Sequence, residues 1–310
     1  MSAGWVAGTV RARALADRCP GAAGAGEIAA CPSLDEALRR LTATPYVRYA
    51  REATGLPEAQ RAVSAMLLWH LRVLAGWLPR DGARLLVPLA SGFEVANVAA
   101  RLASSDRRDS GAPQPPYRLG ALETAWRRLS EAGTPAQLRA ALAASPWGDP
   151  GGDTPWALLT GMRMAAARRT AVAVPQARGW AVARAALLIA RELFVHGRRL
   201  PEPVERDAAR LLGTRASAAA SFREFREVLP VPARRLVADV EEPAQLWRAE
   251  TGWWRTVRDD GAALLRDGRH GPGVVVGAVA VLSVDAWRVR AALESAARGG
   301  RPGEAFDALA

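Results

Sequence analysis

Apolar residues recur along this chain at helical spacing, most sharply over residues 33–46, SLDEALRRLTATPY. Leu34, Ala37, Leu38 and Leu41 fall at i, i+3, i+4 and i+7 and form one stripe. Ser33 precedes the stripe as an N-cap whose hydroxyl can accept from the backbone N–H of Glu36. Glu36 can reach back to the N–H of Ser33 and complete a capping box. Pro45 moves Thr44 out of the helical region and ends the run. The pattern returns at residues 134–147, TPAQLRAALAASPW. There Thr134 and Gln137 take the cap positions, Leu142 matches Leu41, Ser145 matches Thr44, and Pro146–Trp147 matches Pro45–Tyr46. A looser copy begins at Ser221 with Glu224, and Phe222, Phe225, Val228 and Leu229 form its stripe. Ala233 and Arg234 stand where the proline–aromatic pair would be. Three such helices at intervals of about ninety to a hundred residues predict a repeated helical unit.

The same periodicity predicts helices over 5–17, 56–78, 88–103, 119–132, 156–173, 177–195, 204–212, 244–266 and 274–298. No run alternates with period two, so the fold expected is all-α. Residues 19–26 read as a proline/glycine break. The GAAGAG within it follows no strand, which removes the dinucleotide-binding reading. Polar, breaker-rich stretches at 104–116 and 201–203 read as linkers. They divide the chain into three helical repeats, 1–118 with the N-terminal helix, 119–206 and 207–310.

Composition narrows the function more than the fold. Half of the 310 residues are hydrophobic, enough to build cores, and the eleven tryptophans are spread from Trp5 to Trp287. Lysine is absent, so all 42 basic residues are arginine, in keeping with a GC-rich bacterial coding bias. A P-loop lysine, a Schiff-base lysine and the lysine of a protein-kinase strand are thereby excluded. The net charge of +11 suits nucleic acid, an anionic membrane or an acidic protein partner. Cys19 and Cys31 lack neighbours at metal-ligand spacing and read as a reduced pair in a cytosolic protein without a signal peptide. The longest apolar run, 274–282, is too short to cross a bilayer and reads as a buried helix segment.

No catalytic constellation emerges. His70 shares a helical face with Met66 and Trp77 and reads as a packed histidine. His196 sits at a helix C-terminus, and His270 reads as a solvated turn residue. None has a second ligand three or four positions away. Asp149 and Asp153, in GDPGGD, are better explained by turn formation than by a cation site. No serine stands in a G-x-S-x-G setting. Glu94 and Asn97, three apart in GFEVANV, share a helix face. An asparagine there has a reason such as a bond to a neighbouring helix, or else lies on the surface.

Four features together resemble the C-type adapter family (d-type in eukaryotes) of V-type and A/V-type rotary ATPases. The opening helix carries Trp5 with Arg11 and Arg13. The capped helix ends in Thr44-Pro45-Tyr46. Glu94 and Asn97 are similar to the family's E-x-x-N-L motif. The last helix has Asp285 and Arg288 where that motif repeats, departing from it at both positions. The resemblance implies three related helical bundles arranged as a funnel, in a non-catalytic cytoplasmic adapter peripheral to the membrane. Such an adapter joins the central stalk to the proteolipid ring during ATP-coupled proton or sodium transport, and it holds no nucleotide, metal or other cofactor. Arg11, Arg13, Tyr46, Glu94, Asn97, Asp285 and Arg288 are its implied structural or partner-contact residues. An anionic membrane surface is a further expected partner, and nucleic acid is not. The competing reading, an arginine-rich helical nucleic-acid-binding protein, predicts steeply salt-dependent binding to DNA or RNA.

Overall fold

The computed structural model describes residues 3–106 and 114–300. The fold is all-α, 74% helical, with no strand among the described residues. The helices of seven or more residues are α1 (Ala3–Ala16), α2 (Gly21–Ala29), α3 (Leu34–Leu41), α4 (Leu56–Trp77), α5 (Arg80–Leu89) and α6 (Ser91–Asp106). They continue as α7 (Pro135–Ala143), α8 (Pro155–Ala173), α9 (Arg178–Ala190) and α10 (Glu202–Leu212). The series closes with α11 (Phe222–Val228), α12 (Leu246–Arg266) and α13 (Pro272–Ala297).

The chain divides into two compact units, Met1–Ala83 with Trp254–Ala310, and Arg84–Trp253. This division does not follow the three sequential ranges 1–118, 119–206 and 207–310. The cause is α13, which returns to the N-terminal helices and packs against α1, α2, α3 and α4. Its Ala286, Val289, Ala292, Leu293 and Ala296 join Ile28, Leu41, Val63 and Met66 in one core. Among the described residues α13 is long and apolar enough to span a membrane, yet most of its apolar stretch is buried in the protein. Gly261 of α12 and Gly277 of α13 allow a close backbone crossing. A Cβ on Gly277 would lie 2.7 Å from the Gly261 carbonyl oxygen.

In the second unit, α8 packs on α6, α9 and α10. One core gathers Val98, Leu129, Leu138, Leu142, Trp147 and Leu158. Another gathers Ile189, Ala208, Phe225, Leu229 and Val237.

Three expected elements differ. The break at 19–26 contains the start of α2, because its small residues let the helix lie close against α13 and Gly21 enters it at φ +68°. The helix expected to begin at 88 is preceded by α5, which carries Pro88 inside it. The helix expected over 119–132 is only two short turns, Gly120–Leu122 and Trp126–Leu129. The linker read at 104–116 lies for the most part outside the described residues.

Candidate functional site: buried acids clamped by aromatic donors

The helices α3 and α7 end in the same local device. After α3, the Thr44 hydroxyl donates to the Leu41 carbonyl at 2.6 Å and accepts from the Tyr46 N–H at 3.2 Å. After α7, the Ser145 hydroxyl donates to the Leu142 carbonyl at 2.7 Å and accepts from the Trp147 N–H at 3.2 Å. A short hydroxyl residue before proline therefore satisfies a helix-end carbonyl and turns the next aromatic inward.

That aromatic side chain meets a buried carboxylate in each case. The Tyr46 phenol donates to Asp285 Oδ2 at 2.7 Å, and the Gly21 N–H donates to Asp285 Oδ1 at 2.8 Å. The Trp147 indole donates to Glu94 Oε1 at 2.6 Å. The Ala125 N–H donates to Glu94 Oε1 at 2.9 Å and the Thr124 N–H to Oε2 at 2.7 Å. Asp285 is 3% exposed and Glu94 1%. Such carboxylates need several donors, because an uncompensated charge in a protein interior is very costly.

The two sites differ in electrostatics. Burial pushes the Asp285 carboxyl above its ordinary value, partly offset by the bonds from Tyr46 and Gly21, the Arg288 charge and the Cys19 thiol. Burial and then the Asp285 charge push the Tyr46 phenol well above its usual value. The Cys19 thiol is raised by burial first and Asp285 second, so it stays protonated. Around Glu94, the Arg169 guanidinium stands 5.0 Å from the centre of the Trp147 ring.

Asn97 continues the Glu94 clamp. Its Nδ2 donates to the Tyr117 carbonyl at 3.0 Å, and its Oδ1 accepts from the Tyr117 N–H at 2.7 Å. It is 3% exposed, so the surface reading falls away. Its partner is the backbone of a non-helical segment rather than another helix. Together, Glu94 and Asn97 on α6 hold residues 117–125 through backbone N–H groups.

The other sequence candidates are placed apart from any cleft chemistry. Arg288 is 9% exposed; burial and the Arg258 charge lower its pKa, against the opposing effect of Asp285 and Asp259. Arg13 donates to the Asp267 carbonyl at 2.7 Å, tying α1 to the end of α12. Arg11 stacks over Trp77 at 6.0 Å. His70 is buried as expected for a packed histidine, 9% exposed. His270, expected in water, is only partly exposed, and its Nδ1 is buried with no hydrogen-bond partner. Asp149 accepts from Arg139 at 2.9 Å and from the Gly151 N–H at 2.9 Å, a turn with an ion pair. Among the described residues no three His, Cys, Asp or Glu side chains gather into a metal cage.

The caps hold with one change each at α3 and α11. Thr134 and Gln137 close a full capping box. Ser33 and Ser221 accept from the N–H groups of Glu36 and Glu224 at 3.3 and 3.2 Å. Glu36 does not reach back to Ser33 as expected; its carboxylate pairs with Arg39 at 3.0 Å. Glu224 accepts instead from the Ala220 N–H at 2.9 Å.

A third buried acid escapes sequence reading. Glu192, 4% exposed, lies in a π-helical turn, Arg191–Val195, that extends α9. It accepts from the Trp156 indole at 2.7 Å and from Arg198 at 3.4 Å. The α11 end supplies no donor to it. Instead Phe222 and Phe225 of α11 pack on Phe194 at 5.7 and 5.4 Å between ring centres. The one signal in the chain is a lone acid inside the apolar run AALLIARELFV at 185–195. Each of these acids accepts from at least two donors, so the arrangement anchors the segments that carry them. No family model matches the chain, and no curated protein matches it.

Proposed function

We propose that this protein is a non-catalytic coupling component of a V-type rotary ATPase, an adapter of the C-type (eukaryotic d-type) kind. It sits on the cytoplasmic side of the membrane between the central stalk and the proteolipid ring, and it carries torque between them during ion transport. Three related helical bundles arranged as a funnel form the socket in this reading.

The observation that supports it most is the matched pair of clamps, Tyr46 on Asp285 and Trp147 on Glu94. Each follows a capped helix and a hydroxyl–proline–aromatic turn. A duplicated anchoring device suits a stiff adapter. Buried charge-assisted hydrogen bonds fix each turn to a long helix, and packed helices transmit force without rearranging. Glu192 with Trp156 supplies a third anchor with a different donor, and the phenylalanine cluster replaces the aromatic turn there.

The test is affinity recovery of the tagged chain from native membranes in mild detergent, with co-eluting proteins identified by mass. Recovery of the proteolipid together with nucleotide-binding and stalk proteins of the ATPase is the expected result. A membrane fraction that contains the assembled ATPase but yields none of it overturns the proposal. Recovery of nucleic acid lost steeply with salt transfers the function to the arginine-rich binding reading.

A further inference from the structure

The helix α1 is apolar on two sides. One side, with Gly8, Thr9, Ala12, Leu15 and Ala16, is buried within its unit. The other carries Ala3, Val6, Ala7, Val10 and Ala14 at i, i+3, i+4, i+7 and i+11, a second continuous stripe. Val6 is 39% exposed and Val10 56%. At the edge of this stripe the Arg11 guanidinium stands over the ring of Trp77, which is itself 53% exposed. A tryptophan half in water beside an apolar helix face is an unusual use of the largest apolar side chain.

We propose that this face of α1, with Trp77 at its edge, rests on an anionic membrane surface. The argument is charge complementarity around an apolar face. Arg18, Arg72 and Arg80 are exposed on α1's end, α4 and α5, and Arg13 is half-exposed. The nearby acids are Asp17, Asp81, which accepts from the Trp5 indole at 3.3 Å and keeps its charge, and Asp267 beside Arg13, so the arginines outnumber them. The whole chain carries +11, so the protein is drawn to anionic headgroups before contact. Arginine side chains lay their methylenes along apolar surface while keeping the guanidinium at the headgroup level. A helix with valine and alanine on its outer face and tryptophan at its margin fits the depth of that interface. The peripheral location in the proposed function gives this surface its setting, but the contact itself depends only on lipid.

The experiment is co-sedimentation of the full chain with large vesicles of phosphatidylcholine alone or with about one third phosphatidylglycerol, at low and high salt. Binding to the anionic vesicles, weakened at least about tenfold by raised salt, is expected. The double variant Val10→Asp/Trp77→Ser should bind about tenfold more weakly while keeping the far-UV circular dichroism and melting midpoint of the wild type. Val172→Asp, at a valine 76% exposed in the other unit, should bind as the wild type does. Equal binding to neutral vesicles overturns the proposal, as does undiminished binding by the double variant. A Val10-dependent dimer in sedimentation equilibrium without vesicle binding assigns the face to a second copy and also overturns it. These vesicles contain no ATPase, so their result stands apart from the recovery experiment. Vesicle binding with no recovered ring proteins refutes the adapter and keeps the lipid face; the reverse outcome does the opposite.

Discussion

Replacing Tyr46 by phenylalanine deletes one oxygen from the interior and tests whether the acid clamps hold the fold. The lost bond is the 2.7 Å donation to Asp285 Oδ2. Both residues are buried, at 5% and 3% exposure, so water does not readily replace the donor. A hydrogen bond to a charged group contributes about 1.5–3 kcal/mol, and the stranded acceptor adds to the loss. The Gly21 N–H still serves Oδ1, which keeps the expected cost near the middle of that range, about 2 kcal/mol. For a cooperative unit of this size, that lowers the melting midpoint by roughly 4–8 °C. The assay is urea unfolding at neutral pH, followed by circular dichroism, for the wild type, Tyr46→Phe, Asp285→Asn and the double variant. The cycle should give a coupling energy of about 1–2 kcal/mol, because each single change removes the same contact. Tyr46→Phe within about 0.5 kcal/mol of wild type, or additive single losses, would refute the claim that this pair anchors the turn after α3.

Three further outcomes follow from other sites. Asn97→Leu removes both hydrogen bonds to the Tyr117 backbone and should cost about 2–4 kcal/mol in urea unfolding, with faster hydrogen exchange at the Tyr117 amide. Gly277→Val drives a side chain into the Gly261 backbone and should cost about 1–3 kcal/mol, read as a lower melting midpoint. His70 is held down at a pKa of about 4 by burial first and the Arg11 charge second, against an ordinary value of 6.5. The folded protein therefore binds this proton less readily than the unfolded chain. The stabilising difference is complete above pH 6.5 and is lost as the pH falls towards 4, by up to about 3 kcal/mol. The variant His70→Leu should lose that share of acid sensitivity between pH 6.5 and 4, measured by urea unfolding across the range.

The caps and stop signals of α3 and α7 are legible because each depends on residues within a few positions. Ser33, Thr134, Pro45 and Pro146 act locally: the helices start at the two caps and end at Leu41 and Ala143, four and three residues ahead of the prolines. The segment 119–132 departs from its helical pattern for a reason that is not local. The N–H groups of Thr124 and Ala125, which a helix would bond internally, are taken by Glu94 about thirty positions earlier. Helix α2 escapes because its glycines lower intrinsic helicity, and only the packing face of α13 selects it. Glu94 and Asn97 stand out as polar residues on an apolar helix, but their partners do not. Asp285 draws notice through a resemblance, while its contact with Tyr46, 239 positions away, belongs to the tertiary fold. Glu192 depends on a tryptophan from another helix and on a π-turn, and neither has a spacing that a sequence displays.

The two clamps use different side chains to span one kind of gap. A phenol oxygen stands farther from its backbone than an indole nitrogen does, and aspartate is one methylene shorter than glutamate. The long donor Tyr46 is matched with the short acid Asp285, and the shorter-reaching Trp147 with the longer acid Glu94. If combined reach is what each turn requires, Asp285→Glu alone overfills its site. The extra methylene must displace either Tyr46 or Gly21, and overpacking of this kind costs about 1–3 kcal/mol. Tyr46→Trp alone leaves the indole short of the acid and loses the hydrogen bond. The double variant Tyr46→Trp/Asp285→Glu restores the reach and should recover at least about 1 kcal/mol relative to the sum of the single losses. The recovery is partial, because the Gly21 N–H was set for the aspartate oxygen. Urea unfolding of the four proteins gives the number directly. A double variant no more stable than additivity predicts would mean that the matched geometry of the two clamps does not rest on complementary reach.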